Sequence, residues 1–227
     1  MYPYFDSSMV ILIPALLLAG WAQLNVKSTF EKYSRVSTRK ASTAAEVASM
    51  LLSRAGIFNV PVNKVTGSLT DHYDPVKRTV NLSESVYGST SIASLGVAAH
   101  ECGHAIQHSV GYSPLMVRNA IVPAINLCST LSIPLFFVGI LLSVAGLVTL
   151  GILLFSGVIV FHLITLPVEF NASTRALTML RNTGALAEAE LVGARSVLRA
   201  AAWTYVAAAT MAAAQLLRLI VFSNRRR

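Results

Sequence analysis

The chain has 227 residues, of which 54% are hydrophobic and only 12% are charged, and its formal net charge is +8. This composition excludes an ordinary soluble domain, in which about 25% of residues are charged, and it predicts a lipid bilayer as a major partner. The basic residues flank apolar runs without interleaved aromatic residues, so we expect no nucleic-acid partner. Two cysteines, Cys102 and Cys128, are too few for a disulfide framework and are expected to be free thiols.

The first apolar run extends from Met9 to Leu24 and predicts a transmembrane anchor within residues 1–26. This run is short for a hydrocarbon core about 30 Å thick, so the aromatic residues Tyr2, Tyr4 and Phe5 are expected to form its interfacial end. The segment has neither the basic start nor the small-residue cleavage site of a signal peptide. We therefore expect the anchor to be retained.

Residues 27–114 are polar enough to form the first part of a cytoplasmic catalytic region. An alanine-rich stretch predicts a helix over residues 42–54, and short alternating runs within residues 60–83 predict a β-hairpin. Residues 83–87 are expected to form a turn or a single helical turn. A longer helix is predicted to begin near Ser91, where serine and threonine residues can cap it, and to continue through the sequence HECGH.

Two long apolar runs, over residues 120–142 and 144–166, contain no charged residue. They predict two transmembrane helices within residues 115–166, joined by a tight turn between Gly139 and Gly146. The few polar groups inside these runs are insufficient for an ion relay, which argues against a transporter.

Polar, helix-forming sequence returns over residues 167–199 and is predicted to form the second part of the catalytic region. The last segment, residues 200–227, combines an apolar run with a basic tail and predicts a fourth span in which Arg218 extends to the interface. Most lysines and arginines lie between Lys27 and Arg118, so the positive-inside rule places the catalytic region in the cytoplasm. Four full spans would place the tail outside, so either the last run does not cross or the upstream charge prevails.

The strongest functional signal is the sequence HECGH, in which His100, Glu101 and His104 match the pattern H-E-x-x-H. Residues four apart on a helix lie about 40° apart around its axis and one turn along it, so both imidazoles can bind one zinc ion. Zinc lowers the pKa of a water molecule to about 7, and Glu101 is the predicted general base that accepts its proton. The alternative is a structural histidine pair, because three fixed letters recur by chance. The predicted helix and its small neighbouring residues favour the zinc site.

A catalytic zinc normally has three protein ligands and one open position, so the motif requires a third ligand. His108 is too distant, because eight residues along a helix from the first histidine correspond to about 12 Å. Glu169 is the better candidate, because a carboxylate at the edge of a membrane span needs a partner charge. Its alternative role is an interfacial carboxylate paired with Arg175 or a lysine. Glu188 and Glu190 are weaker candidates on a solvated face.

Other polar side chains are candidates for orienting the ligands or for stabilising developing charge. Asn171 and Ser173 follow the candidate glutamate and are candidates for hydrogen bonds to the second ring nitrogen of a ligand histidine. His72 and His108 are candidates for polarising the substrate carbonyl or the oxyanion. For each of these two histidines, an ordinary hydrogen-bonded surface position is an equal alternative.

The run ahead of the motif helix is a candidate for substrate binding through Val65, Gly67, Leu69 and Asp71. If these residues form an exposed edge strand, an extended peptide can pair with that strand and be held over the metal. A purely structural hairpin is an equal alternative.

The chain resembles the YugP-like family of bacterial neutral zinc metallopeptidases in three blocks that agree in order and spacing: TDHYDPVKRTVNLSESVYGSTSIASLGVAAHECGHAIQH, the two apolar runs after it, and LPVEFNASTRAL. The resemblance covers essentially the whole chain. It implies a membrane-bound peptidase of the gluzincin type in the bacterial inner membrane, with one Zn²⁺ per chain and with Glu169 completing the H-E-x-x-H motif. Some members of the family carry an aspartate at the position of Asn171, and other gluzincins carry one four residues after the ligand glutamate, at the position of Ser173. The surroundings of this site are therefore less anionic than those patterns.

The sequence therefore predicts a mainly α membrane protein with about four transmembrane helices and a small zincin-like catalytic region that contains a β-hairpin. The predicted function is a membrane-bound zinc metalloendopeptidase that hydrolyses membrane or membrane-proximal proteins with a zinc-activated water. The alternative is a non-catalytic membrane scaffold in which a structural zinc or a histidine pair holds helices together. Neither the natural substrate nor the oligomeric state follows from the sequence.

Overall fold

The computed structural model describes residues 7–224, and its architecture is mainly helical. A 3₁₀ segment, Ser7–Leu12, leads into the first helix. The α-helices are α1 (Ile13–Ser34), α2 (Ala44–Arg54), α3 (Glu84–Tyr87), α4 (Ile92–Ser109), α5 (Ser113–Leu141), α6 (Ala145–Asn182) and α7 (Glu188–Asn224), and the strands are β1 (Val62–Val65), β2 (His72–Asp74) and β3 (Thr79–Ser83).

Four helical segments among the described residues are long and apolar enough to cross a membrane: Ser8–Ser34, α5, α6 and α7. This finding confirms the predicted mainly α membrane protein with about four transmembrane helices. The predicted interfacial residues Tyr2, Tyr4 and Phe5 lie outside the described residues, as does the end of the basic tail, residues 225–227.

The chain divides into two compact units. Unit 1 contains the described residues up to Gln23, the segment Val117–Leu166, and the described residues from Thr204 onward. Unit 2 contains Leu24–Met116 and Pro167–Trp203, and therefore holds all the candidate site residues. The cytoplasmic location expected for the catalytic region stays a prediction.

In unit 1, α5 and α6 approach each other closely at a glycine. A Cβ atom at Gly151 would lie 2.8 Å from the backbone nitrogen of Phe136 and 2.8 Å from the carbonyl oxygen of Ser132. Small residues allow this approach between apolar helices, where backbone proximity and van der Waals contact stabilise packing in a bilayer. The two helices are joined by a turn at residues 142–144, which confirms the predicted tight turn.

In unit 2, side-chain caps determine where two of the helices begin. Thr43 and Glu46 form a capping box at the start of α2, with each side chain accepting a hydrogen bond from the backbone of the other. Ser91 caps α4 by accepting from the backbone nitrogen of Ser94, which confirms the predicted start of the motif helix. The apolar residues packed among α2, α3, β3 and α4 are buried: Val47, Leu51, Leu52, Val80, Leu82, Val86 and Leu95.

The described part of unit 2 also contains a three-stranded sheet in the order β1-β3-β2. Strands β2 and β3 are antiparallel, with His72 opposite Asn81 and Asp74 opposite Thr79, which confirms the predicted β-hairpin. Strand β1 runs parallel to β3, with Val62 opposite Val80. The sequence analysis did not predict this third strand.

The prediction of a substrate-binding edge strand is wrong for all but the first of its residues, Val65, Gly67, Leu69 and Asp71. Val65 ends β1, whereas Gly67 and Leu69 have φ values of 103° and 57°, in the left-handed region that a strand cannot contain. Asp71 accepts hydrogen bonds from the backbone nitrogen and the hydroxyl of Ser83, at 2.8 and 2.9 Å. The alternating residue pattern suggested a strand, but the glycine lets the chain bend and the aspartate secures the bend against β3.

Candidate metal centre

Two helices bring the three predicted ligand residues together. His100 and His104 lie one turn apart on α4, and Glu169 lies on α6, which continues without a break through Pro167. Their ligand atoms all lie within 4.8 Å of one another. The Nε2 atoms of His100 and His104 are 3.2 and 3.5 Å from the same oxygen, Oε2 of Glu169. The spacing on α4 thus directs both rings to one carboxylate.

Gly103 allows α4 and α6 to approach each other at this point. A Cβ atom at Gly103 would lie 2.6 Å from the carbonyl oxygen of Ala172 and 3.2 Å from its Cα atom. No side chain fits there unless the backbone of α6 moves. Because Ala172 is less than one turn from Glu169, this close contact determines how near the carboxylate lies to the histidines.

We expect Gly103→Ala to destabilise the protein by about 1–3 kcal/mol, because overpacking forces the backbones apart, and to weaken zinc binding by displacing Glu169. Thermal unfolding and zinc content of the detergent-purified chain measure the two effects. Gly96→Ala is the matched control on the same helix, since its Cβ atom would lie at an ordinary 3.6 Å from Cβ of Ala194. Similar behaviour of the two variants would contradict this role of Gly103.

Gln107 determines which nitrogen of His104 faces Glu169. The amide nitrogen of Gln107 donates to the carbonyl oxygen of Val168 at 2.8 Å, and a carbonyl can only accept, so the amide oxygen faces the other way. That oxygen lies 3.0 Å from Nδ1 of His104, which must therefore carry the proton. In the neutral ring, the lone pair is then on Nε2, toward Glu169, as a metal-bound histidine requires.

Ser173 and Asn171 lie in the same hydrogen-bond network. The hydroxyl of Ser173 is 3.1 Å from Nδ1 of His100, so it engages the ring nitrogen that faces away from Glu169. Asn171 contacts the ligand histidines only through Gln107. Its Oδ1 atom accepts a hydrogen bond from the amide of Gln107 at 3.0 Å and another from Nε of Arg175 at 2.7 Å.

The buried surroundings of the three residues favour a cation. Glu169 is 2% exposed, and Glu101 and His104 are each 8% exposed. Burial alone lowers the pKa of His104, but its hydrogen bond with Glu169 and the negative charges of Glu101 and Glu169 outweigh burial, so the pKa lies above the ordinary value. Two imidazole nitrogens with one carboxylate oxygen are a donor set that catalytic zinc uses, so the residues present fit Zn²⁺.

Glu101 lies beside this group without belonging to it. It follows His100 on α4, yet its carboxylate forms no hydrogen bond with any residue in the range 7–224. A nearly buried carboxylate normally has such a partner, so this one keeps acceptor capacity that residues 7–224 leave unused.

Cys102 and Cys128 are both free thiols, as predicted. Although Cys102 lies within the motif, its Sγ atom contacts the carbonyl oxygen of Ala48 at 3.6 Å, on the side of α2. Burial raises the pKa of this thiol far above its usual range, which disfavours the thiolate that a metal ligand needs.

The structure places His72 and His108 in separate local contacts. In His72, Nδ1 is 2.8 Å from the carbonyl oxygen of Thr70 and Nε2 is 3.1 Å from the amide nitrogen of Asn81. These contacts use both ring nitrogens, as in an ordinary hydrogen-bonded histidine. In His108, Nδ1 is 2.8 Å from the hydroxyl of Tyr73, and Nε2 has no hydrogen bond with the described residues.

The match to a known protein family extends over nearly the whole chain. The model of the family described as "Putative neutral zinc metallopeptidase" matches residues 8–224. The chain belongs to this family. It is also 49% identical over 215 residues to the "Putative membrane protease YugP" of Bacillus subtilis (strain 168), which covers 94% of this chain and 96% of that relative. The resemblance seen in the three sequence blocks is thus confirmed. No solved structure matches the chain.

Two residues of this family member that shape the candidate centre were missed by the sequence analysis. Gln107 lies three residues after His104, and residues three apart are neighbours on a helix, so its contact with the ring had a signal in the spacing. Gly103 lies inside the motif as one of several small residues. The sequence contains no sign of which small residue meets the other helix.

Proposed function

We propose that the chain is a membrane-bound zinc metalloendopeptidase of the gluzincin type, with one Zn²⁺ per chain held by His100, His104 and Glu169 and with Glu101 as the general base. The observation that supports this proposal is the convergence of two imidazoles and a buried carboxylate beside a second carboxylate, Glu101, that has no hydrogen bond with the described residues 7–224. Bound at these residues, zinc would polarise a water molecule and the carbonyl of the scissile peptide bond.

Glu101 would transfer the proton in both halves of the reaction. It accepts a proton from the attacking water as the water oxygen bonds to the carbonyl carbon. It then delivers this proton to the amide nitrogen as the carbon–nitrogen bond breaks, which releases an amine and a carboxylic acid. Gln107 and Ser173 hold the two rings through their Nδ1 atoms, so the ligand nitrogens need no reorganisation during the reaction.

The substrates we propose are membrane or membrane-proximal proteins. Glu169 lies on α6, and this helix is long and apolar enough to cross a membrane. One residue of the site therefore belongs to the same helix as a candidate transmembrane span. We further propose that the protein is a multi-pass inner-membrane protein. In this proposal residues 27–114 and 167–199 form the catalytic region, and the basic residues around the spans support a cytoplasmic location for it.

Removal of the metal tests this function. The detergent-purified chain is expected to contain one zinc by elemental analysis and to hydrolyse fluorescently labelled casein, an unfolded protein substrate. Dialysis against a chelator should remove both the zinc and the hydrolysis, and added Zn²⁺ should restore them. Added Mg²⁺ should not, because it prefers six oxygen ligands. Hydrolysis that persists without metal would contradict the proposal.

A further inference from the structure

Unit 2 contains a cleft of about 290 Å³ beside the C-terminal half of α4. Its walls come from the loop after α2, from the β2–β3 hairpin and from α4 itself. We propose that this cleft binds a carboxylate group of the peptide substrate, either an acidic side chain or the chain terminus, within a few residues of the scissile bond. This inference rests on the proposed peptidase function and names the substrate class of the same site.

The position of the cleft follows from the spacing along α4. His108, which lines the cleft, lies seven residues beyond Glu101 and four beyond His104. Seven residues are nearly two full turns, so His108 and Glu101 project from the same face of the helix. Ala105, between them on that face, also lines the cleft and is itself buried.

The distance also suits a peptide that reaches the candidate metal centre. The four residues from His104 to His108 correspond to about 6 Å along the helix axis. An extended peptide advances about 3.3–3.6 Å per residue. A substrate whose scissile bond lies at His104 would therefore place a group in the cleft about two residues away.

The charge of the cleft favours an anion. Arg78 and His108 both line it, and none of the described lining residues is acidic. Arg78 forms no ion pair with residues 7–224, so its guanidinium is available to a ligand carboxylate. The acidic residue of the same hairpin, Asp74, accepts from the backbone nitrogens of Val76 and Lys77 in the turn and does not line the cleft.

Tyr73 orients the histidine in the cleft. Burial raises the pKa of the Tyr73 hydroxyl, which therefore keeps its proton. This hydroxyl lies 2.8 Å from Nδ1 of His108. When the hydroxyl donates to Nδ1, the proton of the neutral ring is on Nε2, which is then a hydrogen-bond donor for a carboxylate oxygen.

The size and lining of the cleft limit what it holds. Its volume of about 290 Å³ lies just below the range of about 300–1,000 Å³ that is typical of small-molecule sites, so it suits one side chain or a chain end. Ile57 and Val60 contribute apolar lining that suits the methylene groups of a glutamate.

Binding of peptides to the zinc-loaded Glu101→Gln variant tests the inference without turnover. The probes are dye-labelled alanine–serine decapeptides with an amidated C-terminus, each carrying either one glutamate or one glutamine at a position moved step by step. A third probe carries glutamine and a free C-terminal carboxylate. Fluorescence anisotropy should show at least one glutamate or free-terminus probe binding about tenfold more tightly than its neutral counterpart, as expected for a charge-assisted hydrogen bond.

Arg78→Gln in the same background should remove this preference, while Lys77→Gln, which removes the adjacent exposed charge, should leave it intact. Preference for an internal glutamate identifies a side-chain site, and preference for the free terminus identifies a chain-end site. The absence of any preference, or a preference that survives Arg78→Gln, would overturn the inference. The parent protein's hydrolysis of casein tests the peptidase function separately, so the two proposals can fail independently.

Discussion

Glu101→Gln is expected to reduce hydrolysis of casein by about 10²- to 10⁴-fold while leaving the zinc content of the protein unchanged. Glutamine keeps the size and polarity of the side chain but cannot accept a proton at neutral pH. The ligand atoms of His100, His104 and Glu169 do not include the Glu101 carboxylate, so the metal should remain. The measurement is the initial rate of hydrolysis, together with elemental analysis of the same preparation.

Glu84→Gln is the matched control for this variant. Glu84 is an exposed carboxylate of unit 2 whose ion pair with Lys64, at 3.8 Å, is of the solvent-exposed kind that contributes little to stability. Its rate and zinc content should equal those of the parent. If Glu101→Gln hydrolyses casein as fast as the parent, the assignment of the base is wrong. A parent that holds zinc but never hydrolyses casein would favour the non-catalytic scaffold.

The membrane helices and the motif helix could be predicted because local sequence determines them. Length and apolar character alone indicate the spans, since a helix satisfies all its backbone groups internally and needs no distant partner. The start of α4 was predictable because Ser91 caps it with a side chain close in sequence. The four-residue spacing of His100 and His104 likewise predicted that both side chains project from one face of the helix, because this depends only on local sequence.

The parts that depend on contacts between distant segments were not predictable in the same way. Strand β1 forms through pairing with β3, and its few residues carry no periodicity of their own. The bend after β1 depends on the left-handed conformations of Gly67 and Leu69. The close contact of α4 with α6 depends on the meeting of Gly103 and Ala172, which are far apart in the chain.

The candidate third ligand, Glu169, depends on both local sequence and contacts between distant segments. Its place at the end of an apolar run indicated that it needed a partner charge, but not which partner. The structure places Oε2 of this residue next to both histidines, while Nε of Arg175, the alternative partner, donates to Asn171. The sequence therefore predicted the candidate residue, and the structure shows which side chains lie next to it.

His104→Ala and Glu169→Ala are each expected to weaken zinc binding by more than about 100-fold, since loss of a residue that only supports a ligand already costs about 10- to 100-fold. Elemental analysis after dialysis against a weak chelator should find zinc in the parent and almost none in either variant. Casein hydrolysis should disappear together with the zinc.

The matched control for the ligand variants is Glu188→Ala. Glu188 is an acidic residue of unit 2 that forms an exposed ion pair with Arg181 at 2.9 Å, and its loss should leave the zinc content unchanged. Thermal unfolding of the metal-free proteins shows whether each variant still folds. If Glu169→Ala folds and retains zinc, another residue must be the third ligand. If His104→Ala also retains zinc, the metal is bound elsewhere, and the contact between α4 and α6 is structural.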